Sequence, residues 1–156
     1  MVVKYLRIIF TACLVSLLIC ISACTGDLKY GEGKDTVQAY GDGTYQILHH
    51  KDGDREVKQL MDCKHEQCVM TQIDAYTSIE NSTYFVGKYY TKQVWCKLSV
   101  ENNCLYYYVE NGADDAEFVM VYLADMKKDN QIVILSSFDE FSEEDQKVFM
   151  KYKFDK

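Results

Sequence analysis

The sequence predicts a mainly β fold, an antiparallel meander of six to eight short strands followed by one C-terminal helix. Three observations favour this fold class. The 156 residues include 13 tyrosines and no proline, and aromatic and β-branched residues, which favour strands, recur in short runs. Polar turn signals separate the runs at intervals of roughly 10–14 residues, as in antiparallel meanders. A serine followed by three acidic residues marks a helix start at Ser142.

Eight runs carry the strand pattern. They are residues 44–50, 57–63, 68–76, 83–90, 93–100, 104–110, 117–124 and 131–137. The segments between them are rich in Asn, Asp and Gly, which form tight turns because they tolerate positive φ angles. We therefore expect a single β-rich domain over residues 44–156.

One hairpin is predicted in register from a two-residue turn at Asn102-Asn103. The facing pairs are then Val100 with Leu105, Leu98 with Tyr107, and Cys96 with Val109. These apolar side chains share one side of the sheet, whereas Trp95, Tyr106 and Tyr108 share the other.

The C-terminal helix is expected near residues 142–152, packed on the sheet. Ser142 is a favourable N-cap, and residues 143–145 place three carboxylates where the helix dipole is positive. Apolar residues then follow at helical spacing, at Val148, Phe149 and Tyr152.

The N-terminus has the order of an export signal. A basic start over residues 1–7 precedes an apolar stretch over 8–20 and the sequence Ile21-Ser22-Ala23-Cys24. These segments resemble the signal peptide and lipobox of bacterial lipoproteins. The resemblance implies cleavage after residue 23 and attachment of diacylglycerol, with acyl chains such as palmitate, to Cys24. An uncleaved transmembrane helix, or secretion without lipid, remains as an alternative.

The lipidated Cys24 and the polar residues up to 43 are expected to form a flexible tether on a domain anchored at the extracytoplasmic face of the cell membrane. Removal of residues 1–23 takes away two basic residues and no acid, leaving 15 basic and 24 acidic residues. Arg55 is the one arginine that remains. Because nucleic acid binding needs a basic surface, we expect no nucleic acid partner. The membrane lipid attached through Cys24 is an expected partner.

Two segments of the mature chain resemble small uncharacterised lipoproteins of Gram-positive bacteria. They are TYFVGKYY at residues 83–90 and SFDEFSEEDQKVF at residues 137–149. This resemblance implies the lipoprotein class and no particular activity.

Four cysteines follow Cys24, in a compartment that permits disulfides; they are Cys63, Cys68, Cys96 and Cys104. Four residues separate Cys63 from Cys68, so a hairpin closing between them predicts a disulfide, with free thiols as the alternative. His65 lies between the two cysteines and raises the alternative of a thiol-dependent or metal-dependent envelope enzyme. The spacing matches no common zinc pattern, so neither a metal nor another cofactor is expected.

The shared face of Trp95, Tyr106 and Tyr108 is the candidate binding surface. Exposed tyrosine and tryptophan side chains make favourable contacts with sugars and proteins. The alternative is a two-sided core in which the helix or another layer covers this face. Without a recognisable catalytic pattern, we expect a binding or interaction module for a protein or carbohydrate rather than an enzyme. A purely structural envelope component is the second alternative.

Overall fold

The computed structural model describes residues 29–110, 121 and 123–151. The predicted signal peptide and Cys24 lie outside the described residues. Among the described residues, no helix combines the length and apolar character needed to cross a membrane.

The described residues form two β-sheets and two short α-helices. The first sheet contains β1 (Thr36–Tyr40), β2 (Tyr45–Asp52), β3 (Arg55–Asp62) and β4 (Gln67–Met70). The second contains β5 (Gln72–Ile79), β6 (Ser82–Tyr89), β7 (Lys92–Ser99), β8 (Cys104–Val109) and β9 (Ile132–Leu135). The helices are α1 (Ala124–Lys128) and α2 (Glu143–Lys151), with a 3₁₀ turn at Phe138–Glu140 before α2.

Each strand pairs with its neighbour in sequence within its sheet, and all pairs are antiparallel except the parallel pair of β8 and β9. The mainly β fold with a C-terminal helix is confirmed, although nine strands are described rather than six to eight. Two differences add strands. β1 lies inside the segment predicted as tether, and the run 68–76 divides into β4 and β5. Most of the predicted run 117–124 lies outside the described residues, and its described end leads into α1.

The chain passes from the first sheet to the second at Thr71. Its hydroxyl donates to the backbone oxygen of Lys88 at 3.0 Å and accepts from the backbone N–H of Tyr90 at 2.7 Å. Gly87 permits this crossing, since a Cβ atom there would lie only 2.0 Å from the backbone oxygen of Gln72. A side chain at position 87 would force the two strands apart.

The main core lies between the two sheets and takes side chains from both. Fully buried members include Tyr45, Ile47, Leu60 and Met70 from the first sheet and Phe85, Leu98, Leu105 and Tyr107 from the second. The alternation of buried and less buried residues along β7 and β8 follows from the pleat, which turns every second side chain towards this core.

A second cluster covers the opposite face of the five-stranded sheet. Its buried members are Tyr84, Val86, Leu135, Phe141 and Phe149. The predicted cap holds α2 in place, because the backbone N–H of Asp145 donates to the Ser142 hydroxyl at 3.2 Å. The prediction of a C-terminal helix on the sheet is confirmed as far as Lys151, and Tyr152 lies outside the described residues.

The β7–β8 hairpin has the predicted faces but a different register. The observed pairs are Leu98 with Leu105, Cys96 with Tyr107, and Val94 with Val109. The turn contains four residues, 100–103, because Asn103 adopts positive φ and its N–H bonds to the oxygen of Val100. The two-residue turn at Asn102-Asn103 was therefore wrong. The shift of two residues preserves the side of every side chain, since strands alternate with period two.

Candidate functional site

The aromatic face predicted as a binding surface is half-buried. Trp95, Tyr106 and Tyr108 do come together on the outer side of β7 and β8, but they pack against the cluster beneath α2. Phe138 lies with its ring centroid 5.8 Å from that of Trp95 and 6.0 Å from that of Tyr108. These contacts match the alternative of a two-sided core, and the aromatic rings receive the C-terminal segment.

An ion pair beside these rings fastens α2 to the sheet. The Asp145 carboxylate accepts from the Tyr84 hydroxyl at 2.7 Å and lies 2.8 Å from the Lys97 ammonium group. The same ammonium group lies 5.9 Å from the ring centroid of Tyr106. These contacts hold α2 against the half-buried aromatic face.

The structure keeps Cys63 and Cys68 as free thiols, so the expected disulfide is not formed. The turn between β3 and β4 comprises residues 63–66, and Cys68 pairs with Met61 rather than with Cys63. The pairing register moves by two residues from the predicted hairpin because the Asp62 carboxylate accepts the backbone N–H groups of Lys64 and His65, at 2.8 and 3.2 Å. Asp62 therefore starts the turn one residue earlier.

Neither thiol is activated for nucleophilic chemistry. Burial raises the pKa of Cys68 to about 11, and burial together with the nearby Asp62 charge raises the pKa of Cys63. A raised pKa favours the thiol over the reactive thiolate. His65 hydrogen-bonds to carboxylates and to neither thiol. This geometry does not favour a thiol enzyme at Cys63, His65 and Cys68.

Metal ligands are not assembled within the part of the chain that the structure describes. No group of three or more His, Cys, Asp or Glu side chains there has an arrangement that could hold a metal ion. His65 directs both ring nitrogens at carboxylate oxygens, and His49 and His50 occupy the exposed hairpin of β2 and β3.

A groove lies between β3 and β5. Its volume is about 480 Å³, within the range of ordinary ligand sites. The residues that line it are Glu56, Val57, Lys58, Gln72, Ile73, Asp74, Ala75 and Tyr76. Sequence reasoning missed this groove, because its two walls belong to different sheets and the division at Thr71 carries no Gly or Pro signal.

Each wall of the groove is a strand edge that no further strand pairs with in the described residues. β3 pairs with β4 only from Leu60 to Asp62, so Arg55–Gln59 has no strand partner on that side. β5 is the edge strand of its sheet and pairs with β6 alone. Edges of this kind present backbone N–H and C=O groups that can pair with another strand.

Charged side chains and a bulge limit what the groove accepts. The Lys58 ammonium group lies 5.4 Å from the ring centroid of Tyr76, and the Gln72 amide donates to Asp74 at 2.6 Å. The pairing of β5 with β6 shifts between Ile73 and Ala75, which leaves Asp74 as the bulged residue. Bulges and edge lysines protect sheets from unspecific pairing. The groove thus combines accessible backbone with a selective charge pattern.

Comparison with known proteins adds no family to this picture. No protein-family model, curated protein sequence or solved structure matches the chain.

Proposed function

We propose that the protein is a lipid-anchored extracytoplasmic binding module that takes an extended polypeptide segment into the groove between β3 and β5. In this proposal Cys24 carries the lipid, and the domain is held at the outer side of the membrane. The supporting observation is that two strand edges, neither paired with a further strand on that side, line one groove.

An extended segment suits the groove better than a sugar. Backbone pairing along a strand edge supplies affinity, and the side chains beside it supply selectivity. Lys58 on one wall and Asp74 on the other offer opposite charges to a segment that carries both. A carbohydrate site would instead need exposed aromatic rings, whereas Tyr76 stacks on Phe85 at 6.2 Å and is covered by Lys58.

Site-specific photo-cross-linking in intact cells tests the groove. A photoreactive phenylalanine at Asp74 is expected to give one discrete polypeptide adduct. The same group at Met150, which is exposed on the helix of the opposite face, is expected to give none. Lys58→Glu should remove the adduct, whereas Lys128→Glu on exposed α1 should keep it.

The partner is then identified by sequencing the adduct, and a synthetic peptide of its cross-linked segment is titrated into the labelled domain. Amide shifts confined to β3 and β5 would support strand pairing. Equal cross-linking from Met150, no adduct from Asp74, or amide shifts centred on Trp95 would contradict the proposal.

The anchor is tested separately. Mass spectrometry of the N-terminal peptide should find Cys24 at the start of the mature chain with lipid attached, and Cys24→Ser should release the protein from the membrane fraction. A chain that keeps residues 1–23, or a Cys24 without lipid, would contradict the anchor and leave the test of the groove intact.

A further inference from the structure

The two sheets meet at a charged contact around His65. This residue lies in the turn after β3, and its side chain is 12% exposed. Its Nδ1 atom is 2.6 Å from the Asp62 carboxylate, and its Nε2 atom is 3.2 Å from the Asp129 carboxylate. Asp62 ends β3 of the first sheet, and Asp129 directly follows α1, ahead of β9 of the second sheet.

Both ring nitrogens of His65 face carboxylate oxygens, and this arrangement selects one protonation state. A neutral imidazole carries one N–H and one lone pair, so it can donate to only one carboxylate. The charged imidazolium donates from both nitrogens, and each bond is strengthened by opposite charge. With a neutral ring, one contact would place a lone pair against a carboxylate oxygen.

We propose that His65 is a protonation-dependent clasp between the two sheets, closed when the charged imidazolium bridges Asp62 and Asp129 and released on the Asp129 side when the ring loses a proton. The contact is a switch built into the fold and is independent of the groove proposal.

The surroundings decide which side releases. The Asp62 side chain is fully buried and also accepts the backbone N–H groups of Lys64 and His65. When the His65 ring is neutral, its one remaining N–H is therefore at Nδ1 and donates to Asp62. The Asp129 side chain is 44% exposed and can take water in place of Nε2. Release therefore leaves Asp129 held to the β3–β4 turn by Lys64 alone, which loosens the turn after α1 and leaves the β3–β4 turn in place.

The other groups around His65 modify the clasp without replacing it. The Lys64 ammonium group pairs with Asp129 and lies 3.4 Å from the Gln131 side-chain oxygen. Its charge opposes protonation of the neighbouring ring, whereas Asp62 and Asp129 favour it. The remaining members of the turn are the half-buried Cys63 thiol and the exposed Glu66. Across the strand pair, Asp62 faces Tyr45.

The pKa of His65 follows from these opposing influences. Burial, the largest single influence, acts to lower the pKa, but the hydrogen bonds to Asp62 and Asp129 outweigh it and raise the pKa above the ordinary 6.5. A group with a raised folded pKa contributes stability below its unfolded pKa, and this contribution is lost as the pH rises through the folded value. The clasp should therefore be closed at mildly acidic pH up to 6.5, where the Asp129 carboxylate is charged, and should release on the alkaline side.

Nuclear magnetic resonance of the labelled ring in the folded domain tests the clasp. Below pH 6.5 both ring nitrogens should be protonated, and the titration midpoint should lie above 6.5. Asp129→Asn should shift that midpoint downward. Asp125→Asn, which changes an exposed acid paired with Lys128 on α1, should leave it in place.

Amide hydrogen exchange supplies a readout that a permanent contact would not give. Through the His65 titration, and after correction for intrinsic exchange, the Gln131 amide should exchange roughly twofold to fivefold faster, the factor expected from one partly exposed ion pair. His65→Gln should remove this pH dependence. A midpoint at or below 6.5, an unchanged midpoint in Asp129→Asn, or the same pH dependence in His65→Gln would overturn the proposal.

Discussion

Two ion-pair clusters fasten neighbouring parts of the chain to the five-stranded sheet, and they differ in their exposure to water. The cluster of Asp145, Lys97 and Tyr84 holds α2 on the outer face, and the Asp145 side chain is 9% exposed. The cluster of His65, Asp62 and Asp129 joins the two sheets, and its Asp129 side chain is 44% exposed. Bonds of the same kind should therefore contribute unequally, because water screens and replaces the exposed one.

The two clusters also lose their contribution at opposite ends of the pH scale. Burial, the largest influence on Asp145, acts to raise its pKa, but the bonds from Lys97, Tyr84 and Ser142 outweigh it and lower the pKa below the ordinary 3.8. The stability from Asp145 is present above pH 3.8 and is lost as the pH falls through the folded pKa. The contribution of His65 is lost as the pH rises. Between them, the clusters favour a domain that is most stable at mildly acidic to neutral pH.

Removing the buried carboxylate should have the largest effect. Asp145→Ala leaves the Tyr84 hydroxyl and the Lys97 ammonium group without their partner, and we expect it to lower the free energy of unfolding by about 3 kcal/mol. Glu144→Ala changes the exposed acid beside it and is the matched control. Urea unfolding followed by tryptophan fluorescence measures both, because Trp95 contacts the same cluster. Equal losses in the two variants would show that the cluster contributes nothing specific.

Removing one donor to that carboxylate should have a smaller effect. Tyr84→Phe keeps the ring, which packs against Phe149 at 5.4 Å, and deletes the hydroxyl that donates to Asp145. We expect a loss of about 1.5 kcal/mol, the usual contribution of a hydrogen bond to a charged group. Tyr90→Phe, at a ring that is 64% exposed, should cost almost nothing in the same assay. A Tyr84→Phe variant as stable as the parent would mean that Lys97 alone satisfies Asp145.

The sequence predicted the outer cluster better than the junction of the sheets. Alternation placed Trp95, Tyr106 and Tyr108 on one face, and helical spacing placed Phe149 on the covering helix, because both patterns depend only on local geometry. Whether that face was open or covered depended on where the helix packs, and the alternation of residues along each strand does not predict this. The structure shows it half-buried.

The groove and the His65 clasp could not be predicted in the same way. Asp62 and Asp129 are 67 positions apart in the chain, and no local pattern signals that their side chains meet at one histidine. The groove requires the division of the run 68–76 at Thr71, which is made by hydrogen bonds to Lys88 and Tyr90 rather than by a turn residue. The predicted Cys63–Cys68 disulfide was wrong for a related reason, because hydrogen bonds to the Asp62 side chain determine where the turn begins.

Acid titration sharpens the comparison at one end of the pH scale. Between about pH 6 and about pH 2 the parent should lose more stability than Asp145→Asn, since the variant has no carboxylate to protonate at that position. We expect the difference to be smaller than the effect of Tyr84→Phe, because many other acids titrate in both proteins. Chemical unfolding at each pH measures it. Parallel stability profiles for the two proteins would contradict the lowered pKa of Asp145.

Alkaline titration sharpens the comparison at the other end and should show the smallest effect. At about pH 6 His65→Gln should lower the free energy of unfolding by about 0.5 kcal/mol, the usual contribution of a partly exposed ion pair. At about pH 9 the difference should shrink, because the parent has by then lost the proton that closes the clasp. His50→Gln on the exposed β2–β3 hairpin is the control and should show no such change. A His65→Gln deficit that stays constant from acid to alkaline pH would mean that packing, not charge, accounts for the contact, and the clasp would then be a fixed part of the fold like the Asp145 cluster.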